Sequence, residues 1–496
     1  MFTLVGLPKL NLRRWTKDET NTAVPSGEPN AGNPLYNAMR ILPLLGIAVV
    51  CVWQRGLAAD MPEPSPCVTR LAVDEEVAER IALNAKRLDD AYFSVTNVFN
   101  PPTRRSFGDF QGRVIFALLC HRALTGRESG TLKDVLGQLG SRVNGGGYFG
   151  PQYPDVLDEF QLGGHNWYLR AMCEAWRQYH DKRYLEFARR AFEGLFWPTH
   201  GQYDDYPTVP RPKADFKGEE LRCGKWLLCS DVGASFMASD GLSDYFATSG
   251  DVRAKELVDE MLERFDALDK LKLKNHTHST LSTVRGALRM YEVTHDEKYM
   301  RIARRGWDLY VSRALAADYE NFNWFCRGDT WTESCTVADS LIVALHMYKL
   351  RGSQADLSLA RRIWHNGFAA VQHAHGGAGS NYIVTPGRPV RRPRCGEVPY
   401  CCTLRLSEAL RWARDFAGVL AVDIPGAPRR DALGRYFAGD LQFGELVHEA
   451  DYGLVEQKRA VTVDGHRLIP LVKFYRLQGR DDELWTGKFD QRVIFP

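Results

Sequence analysis

Two short stretches, far apart in the chain, carry residues that could do chemistry together. Thr332-Glu333-Ser334-Cys335 offers a carboxylate and a thiol two residues apart, and Tyr400-Cys401-Cys402 offers two adjacent thiols. One carboxylate and three thiols are a donor set for a tetrahedral zinc site. Such an ion would lower the thiol pKa and hold the sulfurs as thiolates. Spacing alone leaves three readings open: a metal site, buried thiols packed as small hydrophobes, or disulfides. Cys401 and Cys402 can bridge each other only in strained geometry.

Other residues have two readings each. His165 follows Gly163-Gly164 where a loop is expected to enter a helix, either bonded to backbone or touching a ligand. His276 and His278 are two apart, which puts both on one side of an extended loop or strand. The run Gly145 to Gly150 is a flexible loop by composition, and no Lys-Ser/Thr follows it, so it is not a phosphate loop. Its Tyr148 could stack on a ligand or simply pack. Trp324 and Trp331 flank the Glu333 motif and could wall a substrate site.

These residues need a scaffold, and the sequence shows one by repetition. Ala175 to Phe192 (AWRQYHDKRYLEFARRAF), Arg289 to Trp307 (RMYEVTHDEKYMRIARRGW) and Met347 to Trp364 (MYKLRGSQADLSLARRIW) align without gaps. Each has an aromatic residue, a polar turn, then a helix with Ala-Arg-Arg and an aromatic two residues later. Looser copies run from His121 to Leu139 and from Tyr245 to Phe265. Apolar residues recur at three- and four-residue steps, so each unit reads as helix, turn, helix. A lone helix pair cannot bury its apolar face, so the pairs must stack. Candidate first and last pairs lie around Val73 to Tyr92 and Arg405 to Val419. About six pairs predict a mainly α protein, an (α/α)6 toroid spanning 60–425, in preference to an open solenoid. Beyond it, Ala460 to Val463, Asp464-Gly465 and Leu468 to Phe474 read as strand, turn, strand. Residues 426–496 are therefore expected to form a small β-rich appendix.

Residues 1–59 read as a leader. Met39-Arg40, the apolar run Ile41 to Trp53 and Gly56-Leu57-Ala58-Ala59 describe a signal peptide starting at Met39. The mature chain would begin near Asp60 and be secreted or periplasmic. No apolar run reaches the roughly 18 residues of a membrane span. Of 11 cysteines, Cys51 lies in this leader. The rest are scattered, with Cys223 and Cys229 close enough to bridge. The chain has 64 basic and 61 acidic residues, a net charge of +3. That balance gives no electrostatic reason to expect nucleic acid as a partner.

Glu333-Ser334-Cys335-Thr336 with Cys401-Cys402 resembles the β-L-arabinofuranosidase family, glycoside hydrolase family 127. Gly163-Gly164-His165 and His276-Thr277-His278 before Arg285-Gly286-Ala287 are similar to it as well. The likeness spans roughly Arg105 to Trp412. The resemblance implies a zinc-dependent retaining glycosidase, with Zn2+ held by Glu333, Cys335, Cys401 and Cys402. Cys401 would be the nucleophile and Glu320 the acid/base, with Asp318 and Asp329 as rivals. His165, His276, His278, Tyr148 and Trp331 would line the sugar site, for an oligosaccharide or polysaccharide substrate. The chain departs from the family after the cysteine pair, where Thr403-Leu404-Arg405 follow. Two other readings remain. One is a toroid enzyme using two carboxylates, or a polysaccharide lyase. The other is a non-catalytic glycan-binding toroid.

Overall fold

The computed structural model describes residues 68–71, 73–101, 107–212, 221–316, 318–383 and 392–425, with the strand segments 429–430, 436–438, 441–445, 461–463 and 466–472. The leader expected over 1–59 lies outside the described residues. Among the described residues, no helix is long and apolar enough to cross a membrane.

Helices α1 (Asp74–Leu88), α2 (Val95–Phe99), α3 (Asp109–Thr125), α4 (Gly130–Gln138), α5 (Glu159–Tyr179), α6 (Lys182–Ala191), α7 (Ala238–Ser249), α8 (Val252–Ala267), α9 (Thr277–Thr294), α10 (Glu297–Arg313), α11 (Ser334–Arg351), α12 (Gln354–Arg362), α13 (Cys402–Asp415) and α14 (Ala417–Leu420) follow in order. Six of them, α3, α5, α7, α9, α11 and α13, each pack on the next, and α13 packs back on α3. That closes an inner ring. Helices α4, α6, α8, α10 and α12 lie outside it, each against the inner helix that precedes it, and α1 lies against α13. The result is the (α/α)6 toroid. Inner helices are buried nearly all round: every residue from Phe110 to His121 in α3 and from Ser334 to Met347 in α11 is buried.

The repeated turns have a local cause. His180 and His295 take left-handed φ values of 55° and 57° and end their helices, and the next residue, Asp181 or Asp296, caps the following helix through its side chain. Gly126, Gly250 and Gly352 end α3, α7 and α11 with φ of 71°, 72° and 63°, whereas α13 ends at Phe416 without a left-handed residue. Left-handed C-caps followed by Asp or Ser N-caps reverse the chain in two to four residues. Every such turn therefore runs from inner to outer ring, and all six inner helices point the same way.

The segments expected as a first and a last pair are the two halves of one pair, α1 against α13. Strands β1 (Val68–Leu71) and β8 (Val422–Pro425) fix this closure, pairing antiparallel from Val68↔Pro425 to Leu71↔Val422. Close helix approach within the ring depends on small residues. A Cβ on Gly112 would lie 2.2 Å from the Tyr168 backbone nitrogen, so α3 meets α5 without a side chain between them. Further along, β9 (Arg429–Arg430), β10 (Tyr436–Ala438), β11 (Leu441–Glu445), β12 (Val461–Val463) and β13 (His466–Val472) form an antiparallel sheet in the order β12-β13-β11-β10-β9.

Candidate active site and metal centre

The N-termini of the inner helices converge at one end of the ring, and there the two sequence stretches meet. Strand β5 (Thr332–Glu333) runs directly into α11. It pairs with β6 (Gly379–Tyr382), which pairs with β7 (Arg392–Glu397). The chain then turns through Val398 to Tyr400 and enters α13, with Val398 N on Ala378 O at 2.8 Å. This sheet delivers Glu333 and Cys401 to the same place.

Glu333, Cys335, Cys401 and Cys402 present ligand atoms that all lie within 4.8 Å of one another. Cys335 Sγ is 3.7 Å from Cys402 Sγ, and Glu333 Oε1 is 3.8 Å from Cys401 Sγ and 3.9 Å from Cys402 Sγ. A tetrahedron with arms of ~2.3 Å has edges of about 3.7 Å, so these separations suit a single ion. Cys335 and Cys401 are closer, at 2.8 Å, yet far beyond the ~2.05 Å of a disulfide. The donor set suits zinc, and three of these four separations match the tetrahedral edge, while Cys335 and Cys401 would have to part by about 1 Å.

The three thiols are not equivalent. Cys335 and Cys402 are fully buried, whereas Cys401 is partly exposed. Thiol hydrogen bonds from Cys335 and Cys402 hold Cys401 well below the ordinary thiol pKa, with Arg113 adding to the effect. Burial pushes Cys335 up. One thiolate, on Cys401, is thus favoured among three sulfurs. It sits at the N-cap of α13, where the helix dipole also favours an anion.

The walls are polar and mostly spoken for. Asn323 Nδ2 donates to Glu333 Oε2 at 2.7 Å, while its Oδ1 accepts from Thr336 Oγ1 at 3.2 Å. Asn321 Oδ1 accepts from Glu333 N at 3.0 Å. Of the pair expected on one extended loop or strand, His276 is extended, bridges to Trp324 and caps α9, but His278 lies in the first turn of that helix. His276 Nε2 is 3.6 Å from Glu333 Oε2. His278 Nδ1 donates to Asp339 Oδ2 at 2.6 Å, which leaves Nε2 to accept from Arg113 Nη2 at 3.3 Å. Arg113 also pairs with Asp109 at 2.8 Å and lies over the Trp167 ring. Trp324 packs on His276 and meets Trp331 edge-on, and Arg394 lies 3.7 Å over Trp331. Asn321, Asn323, Arg113, Asp109, Asp339 and Asp231 were all missed by sequence reasoning. Only the asparagines, beside Trp324, lay near a recognised motif.

Other expected residues fall elsewhere. The helix holding His165 begins at Glu159, so His165 lies inside it and is fully buried. Its Nδ1 donates to Gln161 O at 2.8 Å and its Nε2 accepts from Phe149 N at 3.1 Å. Both ring nitrogens serve the main chain, and burial lowers its pKa to about 4. In this arrangement it has no polar atom left for a sugar. Tyr148 is buried edge-on to His165 and lines a 490 Å³ cavity with Asp158, Gln161 and Lys225. None of the four cluster residues lines that cavity. Glu320 is fully buried, and its Oε1 accepts from Asn381 Nδ2 at 2.7 Å. Asp318 accepts from Glu320 N at 3.2 Å, and Asp329 pairs with Arg327 at 2.8 Å. Cys223 and Cys229 do not bridge: both are free, and Cys229 Sγ donates to Glu159 and to Asp231 O, each at 3.6 Å.

No protein-family model and no curated protein sequence matches the chain. Among solved structures it is similar to a GH127 β-arabinofuranosidase, at 13% identity and a TM-score of 0.47, over 77% of this chain and 66% of that one. A sugar epimerase from a ruminal bacterium is similar at 13% identity and a TM-score of 0.49, over 69% of this chain and 97% of that one. An unsaturated glucuronyl hydrolase specific for heparin is similar at 12% identity and a TM-score of 0.45, over 69% and 98%. The chain spans 66% of the length of the first. None of these likenesses transfers an activity to this chain.

Proposed function

We propose that the chain is a carbohydrate-active enzyme, a retaining glycoside hydrolase acting on β-L-arabinofuranosides or related glycans, with Cys401 as nucleophile. The observation that carries this reading is the asymmetry of the cluster. Of three converging sulfurs, Cys401 alone is partly exposed, and it lies 2.8 Å from the Cys335 thiol with Arg113 near enough to favour its thiolate. A reactive cysteine needs both properties. The match of Glu333-Ser334-Cys335-Thr336 and Cys401-Cys402 to the family 127 pattern supports the substrate class.

Glu333, Cys335, Cys401 and Cys402 would hold the zinc. When bound, the ion would keep the sulfurs ionised at neutral pH and ease the departure of Cys401 from the sugar. The chain's own residues do the rest. Asn323 and Asn321 orient Glu333. Asp339 fixes the His278 tautomer, and His278 in turn steadies Arg113 beside Cys401. Trp331, partly exposed and backed by the buried Trp324, would offer an apolar face to a sugar ring. Cys401 attacks the anomeric carbon, and water later releases the sugar with net retention. The resemblance assigns proton transfer to Glu320.

Intact-protein mass spectrometry after brief mixing with an activated aryl β-L-arabinofuranoside tests the reading. A covalent pentosyl adduct that maps to Cys401 and disappears in Cys401→Ser is the expected result. Full activity in Cys401→Ser would reject it.

A further inference from the structure

The site contains a carboxylate that the sequence did not single out. Asp231 lies in the loop before α7, and the surrounding structure grips that loop at several points. One buried carboxylate, Glu159, accepts from the backbone nitrogens on either side of it: Cys229 N at 3.1 Å and Gly233 N at 3.0 Å. Tyr206 and Arg211 hold Glu159 in turn, at 2.5 and 3.1 Å. Gly233 has a φ of +86°, and a Cβ there would come within 2.9 Å of Asn275. Val232 O accepts from His276 N at 3.1 Å, and Ser230 O accepts from Trp324 Nε1 at 3.1 Å. The loop is therefore tied to the two residues that wall the cluster.

This clamp uses up the main chain around Asp231. Its own carbonyl accepts from Ala234 N at 2.8 Å and from the Cys229 thiol. Its carboxyl accepts from Ser230 Oγ at 3.3 Å, the one side-chain hydrogen bond to it among the described residues. The residues on either side of it are bonded to His276 and Trp324, and His276 lies 3.6 Å from Glu333, so the carboxyl feels the charges of Glu333, Cys401 and His276. Burial raises its pKa, His276 opposes that rise, and Glu333 and Cys401 add to it. The other carboxylates nearby are engaged: Glu333 with Asn323, Asp109 with Arg113, Asp339 with Arg285 and Arg405, and Glu320 with Asn381.

We propose that Asp231 is the proton-transfer carboxylate of this site, an assignment that rests on the glycosidase reading above. In the first step the Cys401 thiolate forms a bond to the anomeric carbon. The bond from that carbon to the glycosidic oxygen breaks, and its electron pair stays on the oxygen. That oxygen takes the proton of the Asp231 carboxylic acid and leaves as the alcohol. In the second step water attacks the anomeric carbon and gives its proton to the Asp231 carboxylate. The carbon–sulfur bond breaks, and its electron pair returns to Cys401. Acid, thiolate and water balance over the cycle, and Asp231 alternates between acid and base.

The test uses the full chain with Asp231→Asn, Asp231→Ala and Glu320→Gln. Substrates are β-L-arabinofuranosides of dinitrophenol, phenol and a simple alcohol. Circular dichroism confirms that each variant is folded, and Asp231→Asn preserves the side-chain shape if Asp231→Ala does not fold. Loss of a general acid should cost the alkyl substrate about 10²–10⁴-fold and the dinitrophenyl substrate far less in the first step. The Asp231 variants should therefore accumulate the Cys401 adduct from the dinitrophenyl substrate. Added azide, which needs no base, should restore turnover and give the glycosyl azide. The same loss with every leaving group, no trapped adduct and no azide product would overturn the assignment, as would finding this whole pattern in Glu320→Gln. Failure of the parent reading looks different: the wild-type chain would form no adduct and release no sugar, and the Asp231 role would fall with it.

Discussion

Two buried polar regions lie within the same ring of helices, and they differ in how completely their charges are answered. In the middle of the ring, Arg170, Arg285, Arg289 and Arg405 face Asp240, Asp339 and Glu408. Arg170 grips Glu408 through two nitrogens, at 3.0 and 2.5 Å. Arg285 reaches Asp339 at 2.9 Å and Glu408 at 2.6 Å, Arg289 reaches Asp240 at 2.6 Å, and Arg405 bonds both Asp339 and Glu408. At the helix N-termini, Glu333, Asp231 and the Cys401 thiolate crowd together, and Arg113 is the guanidinium acting on Cys401. Asp240 Oδ2, by contrast, has two guanidinium groups within 3.4 Å. Buried charges that each face an opposite charge serve architecture, whereas an excess of one sign at a partly exposed edge marks a place for a ligand. Asp339 joins the two regions, giving Oδ1 to Arg285 and Arg405 and Oδ2 to His278.

The comparison can be broken most sharply at Cys401. Cys401→Ser should lower glycoside hydrolysis by at least about 10³-fold, since a nucleophile acts as part of a unit. Its unfolding free energy should stay within about 1 kcal/mol of the parent. Kinetics and urea unfolding on the same sample check both halves, and a large stability loss would make the cluster architectural.

The opposite pattern is expected in the network. Glu408→Gln leaves Arg170, Arg285 and Arg405 short of a buried partner and should cost about 3–5 kcal/mol. The same carboxylate makes stability depend on pH. Burial alone would raise Glu408, Asp240 and Asp244, but their arginine partners hold all three below ordinary carboxylate values. A carboxylate with a depressed folded pKa stabilises above its unfolded value, near ~4, and that stability fades as pH falls toward the folded value. The midpoint of thermal unfolding should therefore drop steeply below about pH 4, and Glu408→Gln should flatten that slope. An unchanged slope would remove Glu408 from the account.

A smaller effect separates a buried histidine that serves structure from one that serves chemistry. His165→Ala removes two main-chain partners and should cost about 1–3 kcal/mol of stability, with kcat little changed. A selective loss of kcat would return His165 to the sugar site.

The ring was legible because its signals are local. A helix that ends at His180 or His295 in left-handed geometry, followed by a capping aspartate, leaves the same mark each time it recurs. The pairing of α1 with α13 was not legible, because it joins chain segments more than 300 residues apart with no shared pattern. The cluster was found through Glu333, Cys335 and the cysteine pair, whose types are scarce and chemically distinctive. Asp231 and Arg113 are common residue types at unremarkable spacing, and only loop clamping and ring closure give them meaning. His165 misled because the two glycines before it resemble a helix entrance. In fact Asp158 caps the helix, bonding Phe160 N at 2.9 Å. Glycine is needed inside that helix because a Cβ on Gly164 would meet the Asp109 side chain at 2.8 Å.

The central claim is that Glu333, Cys335, Cys401 and Cys402 form one metal-thiolate centre. Elemental analysis of the purified full chain, dialysed free of loosely bound ions, addresses it most directly. The account predicts close to one zinc per chain, lost in Cys402→Ser while the helical circular dichroism persists. A chain with no bound metal, or one whose zinc survives Cys402→Ser undiminished, would contradict it.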